Sequence, residues 1–311
     1  MTAKRRLIIV FVIFIIASLP LCLFAYNKQR TSLPEELNAP LSFLYFSDTQ
    51  ADPKSGDYSP LRELLTQAVS WEQQPVLAIF GGDTINDGGD ATEWQAFWQA
   101  VAAPLARLVT AAIAGNHDSH PLLAEQFDYP QQAPLTPGQG FFYSFDLGLL
   151  HFIMLDSNIM GAANQVDMQW LENDLNSATA RQAAWRIAVI HHPLWPLTDN
   201  PKDLQRAAIM RENFLPLLRT GDVDLILCGH QHLYGRSLLM QGTEPVVADG
   251  GIIQIMVASG AKESYVAGQP DYLAISAPAP NYLLLTTDWR ELSITAYNEH
   301  GEIIDKYTLT R

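Results

Sequence analysis

Val109-Thr110-Ala111-Ala112-Ile113-Ala114-Gly115-Asn116-His117-Asp118 decides how the chain is read. A short apolar run of strand length stops at a glycine, and Asn, His and Asp follow at once. Continuous apolar runs of this length belong to strands buried on both faces. The layout recurs along the chain. Leu41 to Ser47 ends at Asp48-Thr49-Gln50, and Val76 to Phe80 ends at Gly81-Gly82-Asp83. Ile187 to Ile190 ends at His191-His192-Pro193, and Leu225 to Cys228 ends at Gly229-His230-Gln231-His232. Phe152 to Leu155 is a further run. Helical spacing fills the gaps: Leu61, Leu64, Leu65, Ala68 and Val69 follow Ser59-Pro60, read as N-cap and first helical residue. Trp94, Phe97, Trp98 and Val101 share one helix face and read as core. Buried strands alternating with helices predict an α/β sandwich. Beyond Ile252 the runs Ile252 to Ala258, Tyr282 to Thr287 and Leu292 to Tyr297 lack intervening helices, so the C-terminal part is β-rich.

The 311 residues are 48% hydrophobic and 17% charged, which excludes an extended disordered chain. Lys and Arg number 19 against 33 Asp and Glu, a net charge of -14. No basic stretch beyond the N-terminus could coat a nucleic acid. Cys22 and Cys228 are the two cysteines, so no disulfide framework is expected, and a free thiol at Cys228 is acceptable outside the cytoplasm only if buried.

Lys4, Arg5 and Arg6 precede an uncharged run, Leu7 to Ala25, which as a helix would span roughly 28 Å, close to a bilayer core. It reads as an uncleaved anchor or a cleaved signal over 1–25. Ala25 suits the last position before a cut, whereas Leu23 is large for the position two before it. Leu21 is equally unsuited to a lipoprotein box around Cys22. In both readings the basic cluster stays cytoplasmic, a linker follows over 26–40, and the domain 41–311 is exported. The expected location is a bacterial inner membrane, facing outward, or the periplasm or exterior if the segment is cleaved.

The strand ends gather Asp, Asn, Gln and His. Carboxylate oxygens with imidazole suit Mn, Fe or Zn, and the lack of thiolates argues against a structural zinc site. Two such ions about 3.5–4 Å apart can share a carboxylate and generate hydroxide at neutral pH. Glycines beside Asp83, Asn116 and His230 permit sharp turns and close approach. Taken singly, Asp48 could be a turn residue and His230 with His232 a solvated loop pair; together in order they read as ligands.

The ordered set resembles the calcineurin-like metallophosphoesterase superfamily, whose pattern is Asp-x-His, Gly-Asp, Gly-Asn-His-Asp/Glu, a strand-end His and Gly-His-x-His. The resemblance runs from about Leu41 to at least Leu233 and includes Gln169-Trp170-Leu171 and Leu175. It implies a four-layer α/β/β/α sandwich with two mixed sheets. It also implies a dinuclear centre with a bridging hydroxide nucleophile. Asp48 and His232 would hold the first ion, with Gln50 in place of the usual histidine. Asp83 would bridge, and Asn116, His191 and His230 would hold the second. His117, not itself a ligand, would protonate the leaving oxygen or steady the phosphate, with Asp118 orienting it. Gln50 is a weaker donor than imidazole, so the first site would bind loosely, prefer a harder ion or fill with substrate. Residues 82–86, Gly-Asp-Thr-Ile-Asn, lack the tyrosine of purple acid phosphatases.

The expected activity is hydrolysis of a small phosphate ester. No Arg or Lys cluster near the motifs is there to hold a dianionic monoester, which favours phosphodiesters. Arg236 is the nearest cation in sequence. The alternatives are a phosphomonoesterase on the same site, a hydrolase of lipids or nucleotides at the membrane, and a non-catalytic scaffold of the same fold. Outside the ligand set, His192 reads as a substrate contact or a satisfied loop residue. Trp195 either lines the entrance or packs beneath the loop. His120 reads as a surface residue, His151 as structural, His300 as part of a turn with Gly301, and Asp87 to Asp90 as a turn before a helix.

Overall fold

A computed structural model of the protein describes residues 40–127, 142–158, 165–246 and 250–311. The anchor or signal read over 1–25, and all but the last residue of the linker, lie outside the described residues. Among the described residues no helix is long and apolar enough to cross a membrane.

Strands β1 (Leu41–Phe46), β2 (Leu77–Phe80) and β3 (Val109–Ala112) alternate with helices α1 (Ser59–Ala68), α2 (Ala91–Leu105) and α3 (His120–Gln126). There follow β4 (Tyr143–Leu147), β5 (Leu150–Leu155), α4 (Gln165–Leu175), α5 (Ala178–Gln182) and β6 (Trp185–Ile190). Then come α6 (Pro201–Asn213), α7 (Leu215–Thr220), β7 (Leu225–Cys228), β8 (Leu233–Ser237), β9 (Met240–Gln241) and β10 (Glu244–Pro245). The last elements are β11 (Ile253–Met256), β12 (Leu273–Pro278), β13 (Asn281–Thr287), β14 (Glu291–Asn298) and β15 (Ile303–Thr310).

The first sheet has the order β15-β14-β13-β1-β2-β3, with β1, β2 and β3 parallel and the rest antiparallel. The second has the order β12-β8-β11-β7-β6-β5-β4, with β5, β6, β7 and β11 parallel. Side chains alternate faces along a strand, and each central strand is apolar on both. In β1, Leu41, Phe43 and Tyr45 join the core between the sheets, while Leu44 and Phe46 face the layer of α1 and α2. In β6, Ile187 and Val189 join that central core, while Ala188 and Ile190 pack with Leu171 and Met210 of α4 and α6. The result is the four-layer α/β/β/α sandwich with two mixed sheets and a β-rich C-terminal part. Every parallel strand except β5 and β11 ends at a residue singled out in the sequence.

Some local expectations shift. Ser59 is not the cap of α1 but its first residue, and the Asp57 carboxylate accepts from its N–H (2.8 Å) and hydroxyl (2.7 Å). Asp90 caps α2 by accepting from the N–H of Thr92 (2.7 Å), so 87–90 is the turn expected there. Trp195 is buried and donates to the Gly242 carbonyl (3.0 Å), packing beneath the loop. His120 pairs with the buried Asp156 at 2.8 Å. His300 lies in the β14–β15 turn with Gly301, and Cys228 is buried.

His151 is structural, and its setting carries a prediction. Burial alone would lower its pKa, but Asp146 (2.7 Å) and Asp174 (3.0 Å) outweigh that and hold it at about 9. A pKa raised in the folded chain contributes stability fully present below the unfolded value of 6.5 and lost as pH rises through 9. His151→Ala is therefore expected to destabilise by ~2 kcal/mol at pH 6 and by much less at pH 10. Urea unfolding of both proteins at the two pH values measures this; an equal gap at both would overturn it.

Candidate metal centre

The loops after β1, β2, β3, β6 and β7 converge at one edge of the two sheets, where α/β folds build their sites. Backbone bonds fasten them: Asp48 N–H donates to Gly82 O (2.9 Å) and Gly229 N–H to His191 O (3.0 Å). Gly115 must lack a side chain, because a Cβ there would collide with the Asp83 carboxylate. A Cβ on Gly229 would likewise strike Ser47 and Asp48. Asp48, Asp83, His230 and His232 all adopt left-handed backbone, with φ of 49°, 51°, 76° and 37°.

Two groups of donors result. One ligand atom each from Asp48, Asp83 and His232 lie within 4.8 Å of one another, as do those of His191, His192 and His230. Asp83 links the groups: its Oδ1 is 3.4 Å from His191 Nε2 and accepts from the His117 N–H (2.8 Å). Asp48 faces His232 Nε2 at 3.5 Å. Its carboxylate accepts from the His230 N–H (2.8 Å) and the Ser47 hydroxyl (2.8 Å). Gln50 is fully buried; its Nε2 donates to Ile85 O (3.4 Å), while its Oε1 has no hydrogen-bond partner among the described residues. His191 donates Nδ1–H to Gly81 O (2.9 Å), which turns Nε2 toward Asp83; that nitrogen also has no hydrogen-bond partner among the described residues. Asn116 is exposed, between Gly115 and His117, both held against Asp83.

The electrostatics call for a cation. Burial and the neighbouring Asp83 charge push Asp48 up to about 7. Asp83 is equally buried but is held low by His191 and the His117 N–H. Burial lowers His230, and burial with the Lys262 charge lowers His232 to about 4, so both imidazoles are neutral and able to ligate. His191 is held at about 9 by Asp83 and Asp48 against the effect of its burial. Two buried carboxylates, the neutral His230 and His232, the unpartnered Gln50 Oε1 and a His191 Nε2 whose proton a cation would displace form two adjoining candidate ion sites.

His192 is no ligand. It is neutral, with Nδ1 on the Ser157 hydroxyl (2.7 Å) and Nε2 met by the Arg206 guanidinium; burial and surrounding positive charge hold its pKa well below the usual value. It is thus the satisfied loop residue. His117 is exposed and donates Nδ1–H to Asn86 O (2.7 Å), leaving Nε2 toward the Lys262 ammonium at 3.4 Å. Asp118 does not orient His117 as expected. Its two oxygens accept from Thr84 N–H (3.1 Å) and Gly115 N–H (2.8 Å), so it staples the β2 and β3 loops together. A backbone carbonyl takes the orienting role instead. Arg236 is not at the site: it is spent on Asp305 (2.6 Å) and lies over the Tyr307 ring.

The calcineurin-like phosphoesterase family matches the chain over residues 41–234. The chain belongs to that family. Purple acid phosphatase 23 of Arabidopsis thaliana is 26% identical over 177 residues, covering 52% of this chain and 38% of that protein. Probable purple acid phosphatase 20 of the same plant is 33% identical over 95 residues, 30% of this chain and 22% of that protein. The chain therefore spans about two fifths or less of these curated relatives. The fold matches a purple acid phosphatase from yellow lupin seeds with a TM-score of 0.70 at 18% identity, covering 90% of this chain and 55% of that one. GAP50, the anchor in the inner membrane complex of Plasmodium, matches at 0.65 and 16%, covering 87% and 89%.

As a phosphoesterase-family chain it still has no tyrosine at 82–86. Asn86 there holds its loop by donating from Nδ2 to Ala51 O (3.0 Å) and Glu93 (2.9 Å). Two functional groups escaped the sequence reading. Lys262 follows the β11 run within Ser259-Gly260-Ala261, so the strand-end rule that found the ligands could have found it too. Asp203 lies on the buried stripe of α6 with Ala207 and Met210, and a charge in such a stripe is the signal. It accepts from His230 Nε2–H (3.0 Å) and Gln231 Nε2–H (2.8 Å), leaving His230 Nδ1 as the nitrogen that can ligate. Asp203→Ala is expected to weaken binding of the second metal equivalent by about 10- to 100-fold. Competition with a metallochromic chelator measures it, and unchanged affinity would refute the role.

Proposed function

We propose that this chain is a metal-dependent phosphoester hydrolase acting on phosphomonoesters, with its catalytic domain over 41–311. In this reading Asp48, Gln50, His232 and a shared Asp83 would hold one divalent ion, and Asp83, Asn116, His191 and His230 would hold the other. The observation that carries it is the pair of buried, unpartnered donor atoms, Gln50 Oε1 and His191 Nε2, one from each ligand set. An orphaned buried polar atom costs about 1–3 kcal/mol, which a cation at the site offsets. Bound divalent ions supply Lewis acidity and an activated water at neutral pH. His117 delivers a proton from Nε2 to the leaving oxygen while its Nδ1–H stays on the Asn86 carbonyl. Asp118 keeps the loop that carries His117 closed against β2.

The preference for monoesters rests on Lys262. A monoester dianion brings one more charge than a diester, and the half-buried Lys262 ammonium stands beside His117 to meet it. The lean toward diesters rested on the lack of an Arg or Lys cluster near the motifs; the single Lys262 beside His117 is the cation weighed against it. The test is Mn²⁺- or Zn²⁺-dependent hydrolysis of 4-nitrophenyl phosphate and bis(4-nitrophenyl) phosphate by the full chain. Expected is a monoester preference in kcat/KM of at least about tenfold, narrowed in Lys262→Ala. Better turnover of the diester would restore the diester reading, and no metal-dependent turnover would leave the scaffold. The proposed location is outside the cytoplasm, held or released through 1–25. Protease accessibility in spheroplasts tests it, and full protection would refute it.

A further inference from the structure

The turn after β11 is tied to both ligand loops. Gly260 N–H donates to Asp48 O (2.9 Å) and Ala261 N–H to Gln50 O (3.0 Å). Farther along, Ser264 Oγ–H (2.9 Å) and Tyr265 N–H (3.2 Å) both donate to His232 O, and His232 Nδ1–H donates to Glu263 O (3.3 Å). One short loop thus begins with Lys262 beside His117 and ends with Tyr265 on His232. The Tyr265 ring stacks on the His232 imidazole, with centroids 4.9 Å apart and planes 23° from parallel. It is nevertheless 48% exposed, and the adjoining Val266 is 89% exposed. Loop backbone so firmly tied down does not leave two large apolar side chains in water by accident of flexibility.

We propose that Tyr265 and Val266 form a leaving-group subsite that selects phosphate esters of aromatic or similarly flat alcohols. The inference rests on the phosphoester-hydrolase reading above. One face of the Tyr265 ring is taken by His232, and the ring's 48% exposure among the described residues offers the remaining surface to a planar group. Lys262, at the opposite end of the same loop, meets the charged end of the ester. A substrate with a charged head and a flat apolar tail matches that spacing of chemistry, whereas a small aliphatic ester leaves the ring wet. Val266, next in the chain and 89% exposed, is a second apolar side chain that a flat apolar group would take out of water.

The test uses ligands that cannot turn over, so it does not depend on catalysis. Phenylphosphonate and methylphosphonate are titrated calorimetrically into the Mn²⁺-loaded full chain, wild type and Tyr265→Leu, with metal content measured in both. Wild type is expected to bind phenylphosphonate on the order of tenfold more tightly, and Tyr265→Leu to reduce the ratio to about threefold or less with metal content unchanged. Tyr265→Trp keeps the stacking surface and is expected to keep the preference. Equal affinities in wild type, or an unchanged ratio in Tyr265→Leu, would overturn the subsite while leaving the hydrolase standing. Failure of either phosphonate to bind would instead sink the underlying function. If the ratio falls together with the metal content, Tyr265 supports His232 and the subsite is wrong.

Discussion

Asp83→Asn is expected to lower kcat on phosphomonoesters by on the order of 10³ or more and to remove at least one metal equivalent per chain. Asparagine isolates the effect. It tolerates the left-handed backbone at φ 51° almost as readily as aspartate. Its amide oxygen can still accept the His117 N–H that now lies 2.8 Å away. It fits the space that Gly115 leaves open. What disappears is the negative charge shared by both candidate ion sites and the charge that raises His191. The fold should survive, because shape and backbone bonds are kept. Metal analysis, steady-state kinetics and thermal melting on the same preparation separate the outcomes. Near-native turnover with both ions retained would show that Asp83 is not the shared ligand.

His117→Ala is the second large effect, of a different kind. The expected loss in kcat is about 10²- to 10⁴-fold with metal content unchanged, since the imidazole is exposed and belongs to neither donor group. The loss should depend on the leaving group. A 4-nitrophenolate departs with little help from an acid, whereas an alkoxide needs its proton, so an alkyl phosphate should suffer the greater decline. The ratio of the two losses is the decisive measurement. An equal loss for both esters would make His117 a binder of phosphoryl oxygen rather than a proton donor. A loss of metal alongside activity would place it among the ligands.

Much of this architecture was legible because buried parallel strands are written as short apolar runs. Their ends must be polar, and that rule picked out Asp48, Asp83, His191, His230 and His232, which the structure gathers into two groups of donor atoms, and Asn116, which it leaves exposed beside them. The illegible parts share a physical reason. The partner that orients His117 is the Asn86 carbonyl, and a backbone acceptor leaves no mark in residue types. The family resemblance implies that role for Asp118, whereas its carboxylate reaches 34 residues back to Thr84. Arg236 is close to His232 in sequence, but β8 carries it away to Asp305 and Tyr307. Lys262, far from His117 in sequence, is the cation that arrives, because the turn after β11 returns to the same edge. Asp203 lies on a helix, where no strand-end rule applies.

Four residues at this edge, Asp48, Asp83, His230 and His232, sit in a backbone region that L-amino acids avoid, at up to roughly 1–2 kcal/mol each. For these positions selection for stability and selection for turnover pull in opposite directions. Glycine at 230 or 232 would relieve the backbone and delete a donor in one step. Relief of that backbone strain is offset by what the side chain would take with it, the Asp203 bond at His230 or the Tyr265 stack at His232. A chain that keeps all four carries that strain, and the metal-free protein is the state in which the tension is greatest.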